Sequence, residues 1–359
     1  MEMICALGFK NLRSEGYMLA DLTIHISNPS RTAEIQQLIQ AKSMHFDLPT
    51  HLRDTGAKIA LVQDRDKPFL AQPIIYTFFG DHGIVEAGLC KRSHKAGSDV
   101  VRQYISGNSA LNIFSRQNRI ELRLVDCGLE EELKDPKIIQ RKIGKGTRNF
   151  AQDQAMSSLQ LERCLKNGRE IIRTRRNQAS NTVGIGIQSV GSELACIMLL
   201  ARLRSLPLET LLAQHPAFSQ ADMVWILKKL RAILNSSGPV KGPLDELQNF
   251  GGFEMATALG AILQACQQRC IVLVDGLVGS CLAWLASLLF PECASYIIIA
   301  QSTQGFADTF LAKELGTEAL TYFDTLICDG SGIALNFPMV QAACSFLNES
   351  TAHRLQSGA

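Results

Sequence analysis

Five stretches of the chain are almost continuously apolar: Pro73 to Phe79, Ile120 to Cys127, Thr182 to Ile187, Ile271 to Val274 and Tyr296 to Ala300. A strand with one wet face alternates apolar and polar residues, so strands without alternation are covered on both faces. Each run also ends in a turn signal and leads into a segment of helical periodicity, the pattern of consecutive βα units. The chain is therefore expected to fold as an α/β protein, with a parallel, Rossmann-like sheet covered by helices. Helices are predicted over Asp99 to Asn118, Ser157 to Arg175, Leu194 to Arg204, Ser219 to Leu234, Phe253 to Arg269, Cys281 to Leu289 and Phe306 to Leu315. Ser157 and Ser219 suit N-caps, and Gly107 is a weak interior point of the first helix.

Two more helical patterns, Ser30 to Lys42 and Pro338 to Ser350, have no strand between them and the nearest terminus. They are expected to pack beside the sheet as a small helical subdomain formed by the two chain ends. The expected division is 1–50 for the N-terminal segment and helices of that subdomain, 51–335 for the large α/β domain, and 336–359 for the C-terminal helix. Asn235 to Pro243 reads as a linker, and no internal repeat is visible.

Hydrophobic residues at 46% and charged residues at 19% exclude a disordered chain and fit a large apolar interior. A net charge of only +2 leaves no electrostatic footprint for a polyanion, so no nucleic acid is expected as a partner. The basic stretches Lys134 to Arg148 and Arg169 to Arg176 read as solvated faces or as a rim that attracts one anionic substrate. Eleven cysteines, an odd number without a C-x-x-C pair, suit reduced thiols and a cytoplasmic setting. The N-terminus has no secretory pattern. The run from Ile271 to Phe290 approaches membrane-spanning length, but Asp275, two glycines and Ser280 interrupt it, so no membrane association is expected. Cys266 and Cys270 could share a helix face. No His lies near enough in sequence to complete a metal set.

In an open parallel sheet, ligands bind beyond the carboxyl ends of the strands, so the residues after each apolar run carry the chemistry. Gly80-Asp81-His82-Gly83 follows the first, Gly184-Ile185-Gly186-Ile187-Gln188-Ser189 the third, Asp275-Gly276 the fourth, and Asp329-Gly330-Ser331-Gly332 comes late in the chain. Glycines there let backbone amides approach a phosphate or a flat ring. Asp81 and His82 read either as a catalytic pair or as a turn-capping carboxylate beside a histidine in a polar niche. Gly184-Ile185-Gly186 lacks the third glycine and downstream acid of a dinucleotide fingerprint, which leaves a nicotinamide oxidoreductase only as a fold-level alternative. No G-x-S-x-G or H-E-x-x-H is present, so serine hydrolase and zinc protease chemistries drop out.

Taken in order, the chain resembles the nicotinate-nucleotide:dimethylbenzimidazole phosphoribosyltransferase family. The blocks are Phe79 to Gly88, Gly107 to Asn112, Val125 to Gly128, Lys142 to Asn149, Ala155-Met156, Gly251 to Glu254, Val274 to Leu277 and Asp329 to Leu335. The resemblance implies a parallel α/β domain, a small helical domain from both chain ends, and a homodimer or a heterodimer with a homologous subunit. It implies transfer of ribose phosphate from nicotinate mononucleotide to an aromatic base, giving the α-ribotide used in cobamide biosynthesis, with no metal and no cofactor. By the same resemblance Asp329 stands where the family keeps its catalytic Glu, and Gly330, Ser331 and Gly332 form a backbone cradle for phosphate. Asp81, His82, Gly184, Gly186 and Gln188 join it in substrate binding.

Other pocket positions depart from the family pattern. Ile187 replaces a second carboxylate, Arg92 and Val100 fall where a Ser and a Gln face the incoming base, and Leu211 to Trp225 lacks the glycine loop and Lys that hold the mononucleotide. Ala300 to Gly305 replaces a S-H-x-S-x-E segment. Two readings follow: an active transferase with a rebuilt pocket, or a weak or silent partner subunit of a heterodimer.

Overall fold

The structure, a computed structural model, describes residues 19–26, 29–43, 48–90, 94–175, 179–213, 220–324 and 328–349. Among them are seven strands: β1 (Ile74–Asp81), β2 (Glu121–Gly128), β3 (Ile138–Gln140), β4 (Thr182–Val190), β5 (Ile271–Asp275), β6 (Ile297–Ser302) and β7 (Thr321–Tyr322). They form one sheet in the order β3-β2-β1-β4-β5-β6-β7, and every neighbouring pair is parallel. Five of these are the strands read from the sequence. β3 and β7 lie at the two edges and are too short for any period to show.

The helices are α1 (Pro29–Ser43), α2 (Thr50–Gln63), α3 (His94–Ser106), α4 (Ala110–Gln117), α5 (Ser158–Arg173), α6 (Ser192–Arg204), α7 (Leu208–Leu212), α8 (Gln220–Ser236), α9 (Pro243–Phe250), α10 (Phe253–Gln267), α11 (Gly276–Leu289), α12 (Phe306–Glu314) and α13 (Ser331–Glu349). α10 is buried from Phe253 to Cys266; it lies on β1, β2, β4 and β5, with α5 packed against it. α3 reaches β1 and β4, and α13 reaches β5 and β6. Because β1 and β5 are buried at every position, the missing alternation in the sequence has its cause here: helices close both faces.

Three helix expectations change. The segment Asp99 to Asn118 is two helices, because Gly107 adopts φ +81° and Ser109 then caps α4 through a reciprocal pair with Asn112. α11 starts at Gly276, directly on the end of β5, instead of at Cys281. α13 starts at Ser331, not Pro338, so the expected boundary between 335 and 336 falls inside a helix. α2, α7 and α9 were not anticipated. Ile35 and Ile39 of α1, Ala60 of α2 and Leu347 of α13 form a small apolar cluster of their own. Among the described residues no helix is long and apolar enough to cross a membrane, and Ile271 to Phe290 is β5 followed by α11.

Candidate active site

From β1 the chain moves outward to β2 and β3, then returns to the other side of β1 as β4. The carboxyl ends of β1 and β4 therefore border the topological switch point, where a doubly wound sheet opens its crevice. Ile75, Thr77 and Phe79 on β1 pair with Gly184, Gly186 and Gln188 on β4. Residues two apart share a face, so these six form one surface. The loop that carries Asp329 lies on it.

That contact corrects the reading of two glycines. A Cβ at Gly186 would stand 2.1 Å from the Asp329 carbonyl oxygen, and one at Gly184 2.7 Å from Ile75 Cγ1. Both are small enough to admit the chain's own loop and side chains, which fill the space a Cβ would take. The loop is then tied down: Thr77 Oγ1 donates to the Asp329 carbonyl at 2.8 Å, and the Ile187 amide donates to the Cys328 carbonyl at 2.6 Å. Ile187 itself is buried, so its side chain belongs to the core.

The cradle expected at Gly330 to Gly332 is also corrected. The Gly330 and Gly332 amides both donate to Asp275 Oδ2 at 3.0 Å, and the Ser331 amide donates to Asp329 Oδ1 at 2.8 Å. All three donors are spent on the protein's own carboxyl groups. Asp275 ends β5 and is fully buried. Burial and the nearby charge of Asp329 push its carboxyl up to about 8, against the pull of the two loop amides and Gln301. The shift favours the neutral acid, and Asp275 organises the loop through the two glycine amides. Asp329, by contrast, is half-buried, and its Oδ2 accepts from the Tyr104 hydroxyl at 2.7 Å.

A second acidic group lies on the β1–β2 side. His82 Nε2 sits 2.6 Å from Glu254 Oε1 with both side chains fully buried. Burial opposes charge on His82, but the Glu254 carboxylate, with Asp81 and Glu193, outweighs it and holds the imidazole above its ordinary value. Asp81 Oδ2 accepts the Glu130 amide at 2.8 Å. Asp126, at the end of β2, accepts the Gly128 and Leu129 amides at 3.0 Å each and faces Lys142 at 3.3 Å; burial raises its carboxyl despite these partners. Asp81 and His82 are both buried, the one accepting a backbone amide and the other facing Glu254, which fits the reading of a capping carboxylate beside a histidine in a polar niche.

Of the remaining expected site residues, Val100 is half-buried on α3 against the core, and Gln188 Oε1 lies 3.2 Å from the Tyr104 hydroxyl oxygen. Arg92 and the expected cap Ser219 lie outside the described residues. Sequence reasoning passed over Tyr104, and met Asp275 only as part of a strand-end motif and Glu254 only as part of a family block, without a role for either. Asp275 and Glu254 had a signal, a lone acid at the end of an apolar strand and in the first turn of an apolar helix. Tyr104 had none. Among the described residues no group of three or more His, Cys, Asp and Glu could hold a metal ion.

A glycine loop across the switch point of a doubly wound sheet, with one half-buried carboxylate beside fully buried ones, is the architecture of an α/β enzyme whose crevice opens at that edge of the sheet. The sequence profile of the phosphoribosyltransferase family DBI_PRT matches residues 28–354. The chain belongs to this family. It is 30% identical over 325 residues to a nicotinate-nucleotide–dimethylbenzimidazole phosphoribosyltransferase of Ralstonia nicotianae, covering 90% of this chain and 92% of the relative. The same-named protein of Aromatoleum aromaticum is 29% identical over 330 residues, covering 92% and 96%. A crystal structure of the Thermus thermophilus protein of that name superposes with a TM-score of 0.81 over 90% of this chain and 97% of the other. At 24% identity, that likeness speaks to the fold.

Proposed function

We propose that the chain transfers the ribose phosphate of nicotinate mononucleotide to 5,6-dimethylbenzimidazole or a related aromatic base, with Asp329 as the general base. The observation that carries this reading is the state of Asp329. It is the half-exposed carboxyl of the loop at the switch point, and each of its oxygens holds one donor and keeps capacity for another. The names of the relatives supply the substrate pair.

The chemistry asks little of the protein in bond making. The leaving nicotinate nitrogen is already a pyridinium, so it departs as a neutral base and takes the bonding pair without being protonated. The ring nitrogen of the acceptor attacks C1′ of the ribose from the opposite side, which inverts a β-linked donor into an α-linked product. The new C–N bond leaves a positive charge on the acceptor, and Asp329 removes its N–H proton. A positioned carboxylate is worth about 10²–10⁴-fold in such a step. A neutral Asp275 fits beside it, because two neighbouring charged carboxyls would repel.

A dimer with the site near the subunit contact is part of the proposal. Steady-state transfer by the purified chain, with nicotinate mononucleotide and a panel of benzimidazoles, purines and phenols, tests the reading. Asp329→Asn is expected to lower kcat by about 10²-fold or more without loss of fold. Full activity in that variant would remove Asp329 from the role, and product formed only after a homologous subunit is added would assign the chain to a shared complex.

A further inference from the structure

We infer that Tyr104 is the positioning residue for Asp329: its phenol, fixed between Gln188 and the glycine loop, holds the short carboxylate in the orientation from which it takes the proton. The inference rests on Asp329 as the base.

Tyr104 is built to stay still. It is 4% exposed, and its ring lies on Phe79 with centroids 5.8 Å apart and planes 17° from parallel. Asn112 Nδ2 donates to its carbonyl at 3.2 Å, and Asn112 is the same residue that completes the Ser109 cap of α4. The break between α3 and α4 is therefore coupled to the placement of the tyrosine. At the far end the hydroxyl stands 2.7 Å from Asp329 Oδ2 and 3.2 Å from Gln188 Oε1.

A phenol has one proton and cannot donate to both oxygens. The shorter contact, to a carboxylate, takes it. The Gln188 amide then presents its NH₂ group to the phenol oxygen, an orientation that exchanges its oxygen and nitrogen. The result is a directed chain, with the Gln188 amide donating to Tyr104 and Tyr104 donating to Asp329. Its purpose follows from side-chain length. An Asp can turn back onto its own loop, as the Ser331 amide on Oδ1 shows. Tyr104 holds Oδ2 from the other side, so the carboxylate is held at both ends and still has lone pairs to accept a proton.

Among the described residues, Asp275 from β5 and Tyr104 from α3 face Asp329, and the buried thiol of the preceding Cys328 feels Glu193, Asp275 and Asp308. Tyr104→Phe keeps the ring and removes the donor. We expect kcat to fall about tenfold to a hundredfold, as for loss of a hydrogen bond to a charged group, with the KM for nicotinate mononucleotide changed less than about twofold. The acid limb of kcat/KM should move to higher pH, because the charged carboxylate loses a donor. A merely structural role would lower the melting temperature and leave that limb in place. In an Asp329→Glu background, where the carboxylate reaches further, removing the hydroxyl should cost less than it does with Asp, a coupling that a double-mutant cycle reads.

Wild-type kcat and an unmoved limb in Tyr104→Phe, with Asp329→Asn inactive, would overturn the role of Tyr104 and leave the base intact. Full activity in Asp329→Asn would overturn both. Should Tyr104→Phe fail to fold, Gln188→Met cuts the chain one residue earlier; a smaller shift of the same limb supports the inference, and no shift overturns it.

Discussion

Two groups of acidic side chains sit at the same edge of the sheet and are built in opposite ways. Around β1 and β2, Asp81, His82, Asp126 and Glu254 are each 1% exposed or less. Glu254 faces His82, Asp81 takes the Glu130 amide, and Asp126 takes two amides and Lys142. On the other side, between β4, β5 and α13, Asp275 is buried and pushed up to about 8, while Asp329 remains half-buried. The first group uses charge to pin loops together. The second sets a half-buried carboxyl beside a buried one in which burial opposes charge. Both carry family motifs, so the motif alone does not tell how an acid is held; burial and partners do.

Breaking the closed group should have the largest effect. Glu254→Ala leaves His82 buried without its carboxylate, and the loss of one partner of a buried pair costs about 3–5 kcal/mol. Urea unfolding measures it. His82 is held above its ordinary 6.5 in the fold, so the pair's stabilisation is fully present below that value and is lost as pH rises through the folded one. The gap between wild type and variant should therefore be widest below pH 6.5 and narrow as pH rises. A gap that widens with rising pH would mean that His82 is neutral in the fold.

A change on the open side should separate stability from activity. In Gly186→Ala the new methyl meets the Asp329 carbonyl at 2.1 Å, and backbone rather than a side-chain tip must move. Overpacking of this kind costs about 1–3 kcal/mol. Displacement of a reacting group by about 1 Å costs about a hundredfold in rate, so turnover should fall far more than stability does. Equal falls in both, from thermal unfolding and steady-state assays, would place Gly186 with the structural group.

How much of this contrast the sequence displays depends on the kind of contact. The sheet was legible because β1 and β5 are buried throughout and apolar up to their carboxyl ends but for Thr77, a local pattern with one physical cause. The loop at Asp329 was legible by its glycines. What those glycines do was not, because Gly186 meets Asp329 and Gly330 meets Asp275 across long stretches of chain. The amides expected to hold phosphate serve internal acids for the same reason. Tyr104 stayed hidden because nothing local distinguishes an aromatic core residue from one whose hydroxyl reaches a carboxylate. The break at Gly107 was half visible, since the glycine stood out while the Ser109–Asn112 cap needed its geometry to be seen.

The smallest effect, and the one that sharpens the comparison most, belongs to Asp275→Asn. If Asp275 is a neutral acid near pH 7, Asn keeps an oxygen for the Gly330 and Gly332 amides and changes stability there by only about 1 kcal/mol. Its signature is the pH dependence. The folded carboxyl titrates at about 8 against an ordinary 3.8, so the fold holds a proton that the unfolded chain releases in between. Stability from the neutral form is complete below about 3.8 and is lost as pH rises through about 8. Asn cannot titrate, so the variant should equal or exceed wild type above pH 8 and fall behind it toward acid. Asp126 and His82 are raised too and slope the same way in both proteins, so the difference between the two curves isolates Asp275. Parallel curves would show that Asp275 is charged at neutral pH, and the two acidic groups would then differ in exposure alone.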